Sequence, residues 1–227
     1  MRRVKACAVT LMAALAACGC IAASASGEES TKPFILPEPT EKSPLRFTWK
    51  AGKILIASEL ISIMCVTSSA SGEFTSKRLG TISITLSKCA AGILTCTGEG
   101  SPTGVIEILN ADLHLVGFTV AKSQVAGLAV KLAKSIKLSC GGFVLGGSAI
   151  ALMDGLTSGK ETKTFTALFH EAKSQQEFKE CERDKEYCFS GEVHRKFSLN
   201  FEGAEVLPVG LELQGEVTLE KSAAFDF

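Results

Sequence analysis

Apolar and polar residues alternate with a period of two along several stretches of the chain. The run "TISITLS" (81–87) places Ile82, Ile84 and Leu86 on one face and Thr or Ser on the other. "KFSLNF" (196–201) and "VGLELQGEVTLE" (209–220) alternate in the same way. Such alternation is typical of antiparallel strands with one face on a core and the other toward water. The pattern predicts an all-β fold, either an antiparallel β-sandwich or a barrel-like relative of it.

Three features qualify this prediction. The alternation over 209–220 keeps its phase across Gly215, which predicts a twist or a close backbone contact there rather than a bulge. Residues 125–136 have apolar side chains at mixed spacing, which fits a short helix or a pair of strands. Residues 170–187 are polar almost throughout and favour a loop, or one solvated helical turn within a hairpin excursion, over a packed helix. At most one short helix is expected.

The first residues have the pattern of an export signal. Arg2, Arg3 and Lys5 form a basic start, and an Ala/Leu-rich run follows that is too short and too weakly apolar for a membrane span. We expect residues 1–25 to be a signal peptide and residues 26–44, which are rich in Pro, Ser and Glu, to be a disordered polar linker. A single β domain is then expected over residues 45–227.

Two processing routes compete at this signal. Ala23-Ser24-Ala25 favours cleavage before Ser26 and a secreted protein. "LAAC" (15–18) favours lipidation of Cys18 and a cell-envelope lipoprotein, and this anchor would be the protein's contact with the membrane. Cleavage before Ser26 leaves six of the nine cysteines, an even number that suits pairing, so secretion is the preferred prediction.

Charge and composition exclude one class of partner. Removal of the signal leaves 21 basic residues against 24 acidic ones, and the chain has one Trp and one Tyr. A protein without a basic stripe and with few rings to stack on bases is not expected to bind nucleic acid. Nothing in the sequence points to an obligate oligomer.

The remaining cysteines have the spacing of disulfides rather than of a metal site. Cys89 and Cys96 are seven residues apart, as are Cys181 and Cys188, whereas zinc pairs are usually two to four apart. No redox C-x-x-C is present, and an exported chain is expected to oxidise its thiols.

The phase of the neighbouring residues suggests which cysteines pair. Cys65 and Cys140 each share a face with apolar neighbours, as expected for a bridge across a core, whereas Cys89 is out of phase with "TISITLS" and is expected in a connection. The predicted disulfides are Cys65–Cys140, Cys89–Cys96 and Cys181–Cys188.

The sequence contains no recognisable catalytic, cofactor or metal motif. His194 is expected at the surface, His114 in a satisfied buried position, and "HEAKS" at His170 lacks the second His of a zinc protease. "GGSAI" lacks the closing Gly of a nucleophile elbow. "GLTSGKET" (155–162) differs from a phosphate loop in length and in Glu161, and predicts a turn. We assign no catalytic, cofactor-binding or metal-binding residue and expect no cofactor.

The chain resembles a group of exported, cysteine-containing all-β proteins of actinobacterial type, for which no activity is established. The resemblance spans most of residues 60–227, while the "LAAC" start departs from it. Its marks are Cys89, Gly92, Cys96, Gly98, Gly104 and Cys140. It implies the fold class and no function.

Two functions from different classes fit these observations. The first is a non-catalytic β domain with a binding or structural role at the cell envelope or outside it. The second is a secreted hydrolase whose acid and base meet only in the fold. A pocket that holds two carboxylates would favour the hydrolase, and an exposed apolar patch would favour the binding domain.

Overall fold

The computed structural model describes residues 33–120, 123–173, 175–176, 199–202 and 206–227. These residues contain strands and no helix. The strands are β1 (Phe34–Leu36), β2 (Leu45–Ala51), β3 (Ile54–Ala57), β4 (Ser62–Phe74), β5 (Leu79–Ala91), β6 (Leu94–Thr95), β7 (Val105–Val120), β8 (Ser123–Lys131), β9 (Ile136–Lys137), β10 (Val144–Asp154), β11 (Glu161–Phe169), β12 (Glu171–Ala172), β13 (Gln175–Gln176), β14 (Leu199–Glu202) and β15 (Val206–Asp226).

The main sheet is antiparallel and closes on itself. β2 and β3 act as one strand interrupted at Gly52 and Lys53, since both pair with β4 on one side and β15 on the other. From β4 the order continues through β5, β7, β8, β10, β11 and β15, each antiparallel to the strand before it. The predicted all-β antiparallel fold is confirmed, and the closure gives it the barrel-like form.

The core lies inside this closed sheet. Ile82, Ile84 and Leu86 are buried, as their alternation predicted. Aromatic rings distant in sequence pack in pairs with centroids 5.4–5.9 Å apart: Phe47 with Phe74, Trp49 with Phe169, Phe143 with Phe201, and Phe165 with Phe225. Each fully buried ring contributes roughly 1.5–3 kcal/mol through removal of apolar surface from water.

Gly215 makes the close contact that its sequence context predicted. It faces the core from β15, where its register with Ala167 and Ala51 is unbroken. A Cβ at this position would lie 2.7 Å from the carbonyl oxygen of Lys50 and would overlap Nε1 of Trp49. Only the absence of a side chain lets the Trp49 indole lie against β15.

The predicted linker is wrong for residues 33–44. Phe34–Leu36 form β1, which pairs with the end of β15, and Ile35 is completely buried. The apolar triplet "FIL" can add a strand to the sheet although prolines flank it. The last residues of β15 extend beyond the end of β2 and leave an edge with which the triplet pairs. The fold therefore begins before the predicted boundary at Leu45, and residues 1–32 lie outside the described residues.

The two stretches that were open to a short helix contain strands where the structure describes them. Residues 125–136 belong mostly to β8, which pairs with β7 and β10, so strand pairing prevails over the mixed apolar spacing. Within residues 170–187, the structure describes the short antiparallel pair β12–β13. Residues 177–187 lie outside the described residues.

The predicted disulfide pairing is wrong for the four cysteines that the structure describes. Cys65 is bonded to Cys89, its direct cross-strand partner, with a Cα–Cα distance of 3.9 Å. Cys96 is bonded to Cys140 with a Cα–Cα distance of 4.8 Å. The third predicted bridge, Cys181–Cys188, lies outside the described residues.

The physical reason for the error is a local break in alternation on β5. Leu86 and Cys89 are both buried although they are three residues apart. Lys88 between them has φ 54°, a left-handed conformation that L-residues rarely adopt. This residue turns Cys89 back to the core side, where Cys65 lies opposite, instead of into a connection.

The second disulfide joins two loops that already run alongside each other. Glu99 N donates to Lys137 O at 2.8 Å, and Ser139 N donates to Thr97 O at 2.9 Å. Thr97 N donates to Ser139 Oγ at 2.9 Å. These bonds bring together Cys96 and Cys140, which are 44 positions apart in the sequence. The alternation of apolar and polar residues within one strand carries no information about such a contact between distant segments.

Candidate functional site

An open groove crosses the outer face of four neighbouring strands, β15, β2, β4 and β5. Its volume is about 590 Å³, within the range of roughly 300–1,000 Å³ typical of small-molecule sites. The residues that line it are Arg46, Phe47, Thr48, Ser71, Gly72, Glu73, Thr81, Thr218, Leu219 and Glu220. The groove is therefore built from residues that are up to 174 positions apart, between Arg46 and Glu220.

Hydroxyl side chains form one row across the groove. Thr218 on β15 is paired in register with Thr48 on β2, and Thr48 is paired with Ser71 on β4. Neighbouring strands lie about 4.8 Å apart, so adjacent hydroxyls in such a row repeat at that spacing. Each hydroxyl can donate one hydrogen bond and accept two, which makes the row suited to a ligand that itself carries hydroxyl groups.

Charged side chains form a second row beside the first. Arg46 is paired in register with Glu73, and its Nε donates to Glu73 Oε2 at 3.3 Å. Glu220 on β15 lines the groove together with Arg46 and Glu73. It follows Leu219, which is paired in register with Phe47, the residue after Arg46. The Arg46 and Glu73 side chains are 63% and 37% exposed, so their ion pair contributes little to stability, about 0.2–1 kcal/mol. Its main effect is to orient the guanidinium toward Glu73.

The floor of the groove is fixed by core packing. Phe47 is buried beneath the groove, and its ring packs against Phe74. Gly72 completes the floor, and a Cβ there would lie 2.5 Å from both the Phe47 ring and the carbonyl oxygen of Thr81. The glycine thus permits the close approach between the β4 backbone and the ring, and the rows above it sit on a rigid base.

Hydroxyl residues continue beyond the groove along β4 and β5. The register pairs on this outer face are Thr67 with Ser87, Ser69 with Thr85, and Ser71 with Ser83. The "TISITLS" alternation already predicted that these β5 hydroxyls face away from the core. Their alignment with hydroxyls of β4 depends on register between strands, which the alternation does not specify.

Exposed apolar residues gather at the end of the sheet that holds the disulfides. Leu60 lies in the turn between β3 and β4, Met64 and Val66 lie on β4, and Ile93 and Leu94 lie at the turn from β5 to β6. Their exposures range from 45% to 100%. The surface therefore has exposed apolar side chains, the feature expected of a binding domain. It also has a groove with two carboxylates, Glu73 and Glu220, the feature expected of a hydrolase.

His114 and His170, the two histidines that the structure describes, do not line the groove. His114 is half-buried on the outer face of β7, on the same face as the fully buried Val116. His170 is exposed directly after β11. His194 and the lipidation candidate Cys18 lie outside the described residues. Residues 155–160 connect β10 to β11, so the turn predicted from "GLTSGKET" is confirmed.

Within the residues that the structure describes, no three His, Cys, Asp or Glu side chains are grouped as a metal site would require. The same part of the chain has no helix of the length and apolarity needed to span a membrane. The two disulfides indicate folding in an oxidising compartment.

The comparisons with known proteins leave the groove as the main guide to function. No protein-family model matches the sequence, and no curated protein or solved structure matches it. The groove residues Arg46, Glu73 and Glu220 were not singled out from the sequence, since their proximity depends on β15 closing the sheet against β2.

Proposed function

We propose that the chain is an exported, non-catalytic β domain whose outer groove binds a carbohydrate. The observation that carries this proposal is the pair of cross-strand rows in the groove, one of hydroxyls and one of alternating charge. Carboxylates accept hydrogen bonds and the guanidinium donates them, and both are stronger partners than neutral groups. Together the two rows provide donors and acceptors at regular spacing for a ligand rich in hydroxyl groups.

The composition of the groove disfavours other ligand classes. Its charged residues are Arg46, Glu73 and Glu220, a net charge of −1 when all three are ionised, which disfavours anions such as phosphates. Its single aromatic residue, Phe47, is only 4% exposed and offers no stacking platform. Recognition therefore depends on hydrogen bonds, each contributing about 0.5–1.5 kcal/mol net, and weak binding is expected.

The binding proposal predicts the effect of removing hydroxyls from the row. Thr48→Val combined with Ser71→Ala keeps the approximate shape and should weaken the affinity for the bound sugar about tenfold, equivalent to about 1.4 kcal/mol. Isothermal titration with neutral oligosaccharides of glucose, mannose, galactose and N-acetylglucosamine measures this. Thr85→Val is the matched control, since Thr85 lies on the same outer face but outside the groove. Equal weakening by the control, or no binding of any sugar to the unmodified protein, would contradict the proposal.

A hydrolase is the second candidate, because Glu73 and Glu220 line the same groove. Glycoside hydrolysis commonly uses two carboxyl groups on either side of the scissile bond. The same oligosaccharide titrations reveal it through the release of shorter sugars. If hydrolysis occurs, Glu73→Gln and Glu220→Gln should each reduce its rate at least a hundredfold, whereas intact sugars after prolonged incubation would exclude these substrates.

Export is part of the proposal, with secretion after cleavage before Ser26 preferred to lipidation of Cys18. The disulfides support it, because thiols are kept reduced in most cytosols. The intact mass of the native protein, taken with and without reduction, tests the route. We expect a start at Ser26, whereas a diacylglyceryl group on Cys18 would establish the lipoprotein alternative.

A further inference from the structure

A strip of hydroxyl side chains leaves the groove at Ser71 and continues along β4 and β5 toward the Cys65–Cys89 disulfide. On β4 these hydroxyls alternate with the buried residues Ser68 and Ala70. On β5 they alternate with the buried apolar residues of "TISITLS". All of them therefore lie on the outer face. The members of this hydroxyl strip that lie outside the groove are Thr67, Ser69, Ser83, Thr85 and Ser87.

The hydroxyl strip is two strands wide and keeps its register. Thr67 is paired with Ser87, and Ser69 is paired with Thr85. Neighbouring strands lie about 4.8 Å apart, and each residue advances a strand by about 3.4 Å. From Thr81 in the groove to Ser87, the strip is therefore about 20 Å long. This length is several times that of one sugar ring.

The hydroxyl strip carries no charge, and its hydroxyls are available to a ligand. Residues 67–72 of β4 and 81–87 of β5 contain no charged side chain. Among the described residues, these hydroxyls make no hydrogen bond except at Ser83, whose Oγ accepts one from Asn110 N at 3.1 Å. Each hydroxyl can donate one hydrogen bond and accept two. An uncharged ligand with regularly repeated hydroxyl groups matches such a surface.

The shape of the sheet favours a ligand that runs along the strands. Because the sheet closes on itself, its outer face curves away from one strand to the next. A straight chain longer than the groove would leave the surface if it lay across the strands. Lys50 and Glu107 are paired in register with Ser69 and Thr85, respectively. The short side chains of the strip therefore lie between longer ones on β2 and β7.

We propose that the ligand is a linear, uncharged polysaccharide that occupies the groove and extends from it along the hydroxyl strip. This inference rests on the proposed function of the groove and adds the polymeric class of the ligand and its direction on the sheet. A disaccharide is held by the groove alone. A longer chain gains several hydrogen bonds from the strip, and their combined effect should tighten binding about tenfold.

A length series on the unmodified protein tests the proposal. Isothermal titration with linear β-1,4-linked oligosaccharides of glucose, mannose, galactose and N-acetylglucosamine, each with two to six rings, measures affinity against chain length. We expect the hexasaccharide of the bound sugar to bind about tenfold more tightly than its disaccharide. Equal affinities would overturn the extended site and leave sugar binding in the groove intact. No binding of any sugar would overturn both.

Two variants locate the additional contacts. Thr67→Val combined with Thr85→Val removes two hydroxyls of the strip and keeps β-branched side chains suited to strands. This variant should abolish the gain in affinity with length and leave the affinity for the disaccharide, which the groove holds alone, unchanged.

Thr164→Val is the matched control for the double variant. Thr164 is exposed on β11 and is paired with the groove residue Thr218, on the opposite side of the groove from the strip. This variant should keep the gain with length. Loss of the gain in Thr164→Val but not in the double variant would mean that the chain runs across the strands, and would overturn the proposal. The length series decides on the extended site even if a variant fails to fold.

Discussion

Removal of the Cys96–Cys140 disulfide, by Cys96→Ala combined with Cys140→Ala, is expected to lower the free energy of unfolding by about 4 kcal/mol. The bond joins positions 44 residues apart, and on the chain-entropy relation a closed loop of that length restricts the unfolded chain by about this amount. A typical domain has a net stability of about 5–15 kcal/mol, so the loss would be a large share of the total. Urea denaturation followed by Trp49 fluorescence measures it.

A neighbouring hydrogen bond provides the control for this variant. Ser139→Ala removes the acceptor for Thr97 N in the same pair of loops but leaves the covalent link, and should cost only about 1 kcal/mol. A loss below 1 kcal/mol for the double cysteine variant would show that the disulfide adds little to the hydrogen bonds between the loops, which would contradict the prediction.

The second large effect is expected at Gly215. In Gly215→Val, the new Cβ would lie 2.7 Å from the carbonyl oxygen of Lys50 and would overlap the Trp49 indole. Relief requires the indole or the paired strands β2 and β15 to move, and overpacking of this kind costs about 3 kcal/mol. Urea denaturation should show the loss, and the emission of Trp49 should shift because its ring is displaced.

Gly52→Val is the matched control for Gly215→Val. Gly52 lies in the same region, between β2 and β3, but a Cβ there would meet no atom within 4 Å. Its effect on stability should stay within about 0.5 kcal/mol. Similar losses in the two variants would show that the contact with Trp49 does not determine the cost at Gly215.

Residue alternation predicted the inward faces of the strands well. Ile82, Ile84 and Leu86 are buried, as are Leu213, Val217 and Leu219, because the two-residue period of a strand is a local property. The close contact at Gly215 was also predictable, since an unbroken phase excludes a bulge.

The errors arose where long-range contacts or unusual backbone conformations determine the outcome. Cys89 is out of phase by simple counting, and only the left-handed conformation of Lys88 places it opposite Cys65. In the sequence, Ile35 looks like part of a polar linker. It is buried because its strand pairs with the end of β15, where its register partner Phe225 lies 190 positions later. The groove was missed for the same reason, since Glu220 and Arg46 become neighbours only when the sheet closes.

The proposed groove depends on β4 lying between β2 and β5 in the register that places Cys65 opposite Cys89. The same register aligns Ser71 with Ser83 and Glu73 with Thr81. Peptide mapping of the unreduced protein by mass spectrometry tests it most directly. The structure predicts linked peptides that contain Cys65 with Cys89 and Cys96 with Cys140. Peptides that link Cys65 to Cys140, or Cys89 to Cys96, would contradict the register and with it the groove.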